Sequence, residues 1–60
     1  MLYEARFFDH RDEVFSTQLF GAEHDEAAKL YANRVLKTRF GKGHEIWHGE
    51  RLVHREVYQP

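Results

Sequence analysis

The chain has no cysteine, one proline and one serine. Lack of cysteine excludes disulfide staples and cysteine-based zinc sites, and it fits a reducing compartment such as the cytoplasm. The one serine, Ser16, has no local triad context. No phosphate-cradling loop is present either. Gly41-Lys42-Gly43 lacks the following Lys-Ser/Thr and comes after a helical pattern instead of before one. No apolar run approaches the ~18 residues of a membrane helix, nor the length of a signal-peptide core, so neither is expected. Charge of one sign is also missing. Nine Lys+Arg against ten Asp+Glu leave a formal charge of −1, so no overall polycation points to nucleic acid.

Sixty residues make one domain with one small core. A chain of that size buries only about 60% of its unfolded-state surface, which leaves its stability marginal. Aromatic residues reach 15%, plentiful for so short a chain. A compact aromatic core would use them, and so would contacts with another chain.

The most informative stretch runs from Gly43 to Val57. Two segments with alternating apolar positions, Glu45-Ile46-Trp47-His48 and Arg51 to Val57, flank Gly49-Glu50. A Gly-X pair there predicts a two-residue II′ hairpin turn, because glycine takes the φ > 0 position without steric cost. That turn sets His48 opposite Arg51, Trp47 opposite Leu52, Ile46 opposite Val53 and Glu45 opposite His54. Strand alternation then puts Ile46, Val53 and Val57 on one face, and Trp47 and Leu52 on the other.

Upstream, Leu2 to Asp9 reads as a strand with Tyr3, Ala5 and Phe7 on one face. Asp9 to Glu13 reads as a turn. Val14 to Gly21 reads as a second strand, with Phe15, Thr17 and Leu19 alternating against Val14, Ser16, Gln18 and Phe20. The pattern becomes helical around Glu23 to Glu26, where Asp25 suits an N-cap or first-turn position. From there to about Phe40 the positions Ala27, Ala28, Tyr31, Ala32 and Val35 share one helical face, and Tyr31 and Val35 are its expected core contacts. Gly41 suits the C′ position, and the basic residues near the end complement the helix dipole. The expected fold is therefore α+β, a ββαββ two-layer sandwich. It has a four-stranded antiparallel sheet, one helix on one face, a single domain over 1–58 and a frayed tail at 59–60.

The helix start Asp25-Glu26-Ala27-Ala28, followed by the closing stretch Gly43-His44-Glu45-Ile46-Trp47-His48-Gly49-Glu50-Arg51-Leu52-Val53, resembles a group of short alphaproteobacterial proteins. The likeness covers the second half of the chain and extends to the first half only in layout. This chain departs from the group in its longer helix, with Lys37 to Lys42 inserted before Gly43. The resemblance implies the ββαββ fold and a bacterial cytoplasmic origin, and it transfers no catalytic residue. The layout is also similar to antitoxin-type and RNA-binding ββαβ modules, an analogy of fold alone.

Five histidines raise the question of a metal. His44 and His48 are four apart, which on a strand separates them by roughly 13 Å, too far to share one zinc. In the register above His54 points to the opposite face, and His10 and His24 lie in separate loops, so surface histidines and no metal site are expected. Glu45, His54 and Glu56 read as cross-strand charge pairs, since acid–base catalysis needs a pocket that so small a domain scarcely offers. No enzyme activity and no cofactor are implied.

Two readings of function follow. Leu2, Phe8, Val14, Phe20, Trp47 and Leu52 alternate away from the expected helix-covered face, and one helix covers one face only. An apolar patch of that kind on a protein surface usually meets a partner, most commonly a second copy. Phe8, Phe20, Trp47 and Leu52 are the expected interface of a protein-interaction module. The alternative is a weak nucleic-acid binder using Arg34, Lys37, Arg39 and Lys42, with affinity that falls steeply with salt. Helix C-termini are ordinarily basic, which is the structural explanation of the same run.

Overall fold

The computed structural model describes residues 1–37 and 41–59. Strands β1 (Leu2–Phe8) and β2 (Val14–Gly21) precede helix α1 (Asp25–Tyr31), which continues through a π-helical turn, Ala32–Leu36. Strands β3 (Gly43–His48) and β4 (Arg51–Val57) follow. All strand pairs are antiparallel, in the order β2-β1-β3-β4. The expected ββαββ α+β fold is what the chain adopts, with the first strand of each hairpin in the centre and the second at an edge.

The second hairpin turns at Gly49, whose φ is +62°. Glu50 does not share a positive φ, which separates II′ from I′ geometry. His48 faces Arg51 and Trp47 faces Leu52, as the turn dictates. Beyond that pair the register departs from expectation, because Val53 is an extra residue and Ile46 faces His54. Glu45 consequently faces Arg55 instead of His54, and Val57 falls opposite Gly43, on the Trp47 face instead of with Ile46. His54 likewise shares a face with His44.

The first hairpin has its own irregularity. Asp9 organises the turn by accepting from the Arg11 and Glu13 amides at 2.9 and 3.0 Å. Asp12 takes the left-handed conformation at φ +62°. Phe7 then pairs with Ser16 and Phe8 with Val14, so Phe15 is bulged out. The bulge reverses the phase between Val14 and the rest of β2. Phe20 therefore lies with Tyr3 on the helix side, not with Val14 on the open side.

Tyr3, Ala5, Phe7, Phe20, Ala28, Ala32 and Ile46 form the core, with Ala22, Leu36 and Val53 packed at its margin. Ala28 and Ala32 are fully buried, and these small side chains let the helix lie close to the sheet. Tyr31 and Val35 were the expected helix contacts, yet Val35 is 61% exposed and Tyr31 is 41% exposed. For Val35, which lies within the π turn, that turn is the cause. Its i→i+5 bonding advances each residue by less than the ~100° of an α-helix, so Leu36 replaces Val35 over the sheet. Val35 is left behind on the flank it shares with Tyr31. The N-cap is His24, whose Nδ1 accepts from the Ala27 amide at 3.1 Å, and Asp25 takes the first-turn position. The helix was expected to reach about Phe40. It ends at Leu36, and Lys37 has left helical geometry. The expected stretch Thr38 to Phe40 lies outside the described residues.

Candidate interaction surface

The open face of the sheet carries two mainly apolar rows, the first interrupted by Glu4, with a polar and charged band between them. Leu19, Glu4, Trp47 and Leu52 form one row across the four strands, and Val14, Phe8, Gly43 and Val57 form another. Thr17, Arg6, Glu45 and Arg55 lie between. The two central aromatics are capped from within this band. The Arg6 guanidinium stands 4.6 Å over the Trp47 ring, and that of Arg55 stands 4.2 Å over Phe8. Arg6 is paired with Glu4, and Arg55 with Glu45 and Asp12. The Trp47 indole N–H donates to Glu45 at 3.0 Å.

Phe8 is only 2% exposed as a result, and Trp47 is half-buried. Of the expected interface residues, Phe8, Trp47 and Leu52 do lie on the open face, but not as one patch. Phe8 is four residues along β1 from the Trp47 row, roughly 13 Å away. Phe20 is absent from this face. Its ring lies on the helix side between Tyr3 at 5.8 Å and Tyr31 at 5.2 Å. Arginine stacks desolvate aromatic faces without a partner chain, so this face is partly closed by its own side chains.

The two sheet edges differ sharply. Strand β4 contains Arg51, His54, Arg55 and Glu56 and is bulged at Val53, both common guards against pairing with another chain. Strand β2, Val-Phe-Ser-Thr-Gln-Leu-Phe-Gly, has no charged residue, no proline and only the bulge at its first turn. Every residue in it except Phe20 is exposed, and Leu19 is 61% exposed. Met1 and Ala22 exchange both backbone hydrogen bonds, at 2.8 and 3.0 Å. Antiparallel ladders alternate, so Phe20, Gln18 and Ser16 bond inward to β1 while Gly21, Leu19 and Thr17 aim N–H and C=O at the free edge.

The helix repeats this asymmetry. Asp25 accepts from both Arg51 guanidinium nitrogens, at 2.9 and 3.1 Å, and from the Tyr3 hydroxyl at 2.9 Å. The Arg51 hydrogen bonds, then the Tyr3 one, hold the Asp25 carboxyl down at about 2. The flank of α1 toward β4 is thus ionic. The flank toward β2 is apolar, with Tyr31 stacked on Phe20 and Val35 one turn further on.

Two of the described members of the basic run have contacts of their own. Lys42 pairs with Asp12 at 3.4 Å, Lys37 lies over the Tyr58 ring at 4.9 Å, and Arg34 is exposed. Arg39 lies outside the described residues. The histidines are less superficial than expected. His44 is buried, with Nδ1 2.8 Å from the Tyr58 hydroxyl, and burial pushes its pKa below the usual imidazole value. His54 contacts Glu56 at 3.0 Å. Among the described residues no three His, Asp or Glu side chains are grouped to hold a metal, and no helix is long and apolar enough to cross a membrane.

No protein-family profile, curated protein or solved structure matches the chain. The surface must therefore speak through its own geometry. The unguarded β2 edge is the feature that reading the sequence by faces missed. Its signal was present as an eight-residue strand pattern with no charge.

Proposed function

We propose that this chain is a small, non-enzymatic protein-interaction module that self-associates through its sheet. The observation that carries the reading is the exposed, uncharged edge strand β2, set against a second edge protected by charge and a bulge. Open N–H and C=O groups in a row offer affinity to any chain able to add a strand, and alternate side chains tune the choice. The open face contributes less, because Arg6 and Arg55 already cover its aromatic centres.

Sedimentation of the wild-type chain between about 10 and 300 µM tests the reading, since association makes the apparent mass follow concentration. A monomer–dimer equilibrium is expected, with no retention on a nucleic-acid column. A monomer throughout the range contradicts the proposal. A monomer retained on that column with a steep loss in salt would instead favour nucleic-acid binding by Arg34, Lys37, Arg39 and Lys42.

A further inference from the structure

We infer that the partner is a second copy of this chain, joined β2 to β2 in antiparallel register about a two-fold axis at Gln18, so that two sheets become one of eight strands. The inference rests on the interaction-module reading and specifies its geometry.

An antiparallel edge is its own complement under two-fold symmetry, provided that residues of like phase meet. The outward-bonding residues of β2 are Thr17, Leu19 and Gly21. A centre at Gln18 puts Thr17 opposite the partner's Leu19, and Leu19 opposite the partner's Thr17, as hydrogen-bonded pairs. It also confines the new ladder to 15–21, inside β2. A centre at Thr17 would carry the ladder out to Glu13, beyond the start of β2. A centre at Leu19 would bring Glu23, beyond the strand, against Phe15. The two Gln18 side chains meet at the axis as a non-hydrogen-bonded pair, where their amides can bond each other.

Helix geometry supports the same occupant independently. A two-fold axis normal to the sheet leaves both helices on one side of it. The flank each helix turns toward the axis is the apolar one with Tyr31 and Val35, both substantially exposed in the single chain. The ionic flank, tied to Arg51 through Asp25, faces away. Strand β2 itself offers a partner of strong charge no side chain to pair with, whereas a second copy matches it apolar to apolar.

Cysteine cross-linking reads the geometry directly, since the chain has no native cysteine. Facing residues of a non-hydrogen-bonded pair lie about 4.5 Å apart at Cα, within the range a disulfide spans. Gln18→Cys, at an exposed position, should form a dimeric disulfide at least about tenfold faster than Thr17→Cys or Leu19→Cys, whose counterparts are offset along the ladder. Sedimentation of each reduced variant is recorded alongside, with circular dichroism to confirm the fold. Dimers in which Gln18→Cys has no such advantage overturn the edge pairing and leave the interaction-module reading standing. A wild-type chain that stays monomeric overturns both.

Discussion

Gly43→Ala should lower the midpoint of thermal unfolding by roughly 5–20 °C, the equivalent of about 1–3 kcal/mol in a domain of this size. Gly43 begins β3 directly beneath Phe8, and a Cβ there would overlap the Glu56 carbonyl oxygen and come within 2.8 Å of the Phe8 ring. Its φ is unexceptional, so the requirement is steric, not conformational. Phe8 lies over the glycine, and Arg55 closes over Phe8 from the other side. Moving the ring breaks that stack, and moving Glu56 disturbs the β3–β4 ladder. Stability for 60 residues is expected at only about 3–9 kcal/mol, so the loss is a large part of the whole. Gly21→Ala is the matched control, because its added Cβ meets nothing closer than the Met1 carbonyl oxygen at 3.9 Å. Thermal melts followed by circular dichroism at low concentration make the comparison. Equal midpoints for the two variants would show that the Phe8–Gly43 contact does not constrain the fold.

Leu36→Asp should cost about 2–4 kcal/mol, because it sets a carboxylate with no partner against the apolar core margin. Val35→Asp, one residue earlier, should change stability by no more than about 0.5 kcal/mol in the monomer, as an exposed substitution does. A regular α-helix predicts a substantial loss at Val35, so this pair of variants tests the π turn itself. Urea unfolding of both, read as midpoint shifts with an unchanged slope, is the measurement. Reversal of the order, with Val35→Asp the more damaging, would return Val35 to the core.

These positions also show where the sequence was legible and where it was not. Gly49-Glu50 is a local signal with a local cause, and it correctly specified the II′ turn and the two pairs nearest it. Asp25 and the alanines after it marked the helix start and its close approach to the sheet. The errors of strand phase lie where one residue is gained. Neither Phe15 nor Val53 differs in type from an ordinary strand residue, yet each bulge inverts the phase of everything beyond it. Adjacent apolar pairs such as Phe7-Phe8 and Leu19-Phe20 fit either phase, so alternation alone could not detect the shift. Val35-Leu36 posed the same ambiguity on the helix, and the π turn resolved it against the α-helical period.

The candidate site followed the same pattern. Trp47 beside Leu52 on the open face was legible, because the turn fixed that pair. Coverage of Trp47 and Phe8 by Arg6 and Arg55 was not, since each guanidinium stack joins side chains from two different strands. An open hydrophobic face became a partly closed one, and the case for association moved to the edge strand.

Hydrogen exchange at the β2 amides tests edge pairing most directly. The Ser16, Gln18 and Phe20 amides bond inward and should be protected at every concentration, while those of Thr17, Leu19 and Gly21 point outward. If two β2 edges pair, protection of Thr17, Leu19 and Gly21 should rise with protein concentration and approach that of their neighbours. Fast exchange at those three amides, unchanged from micromolar to millimolar protein, would contradict it.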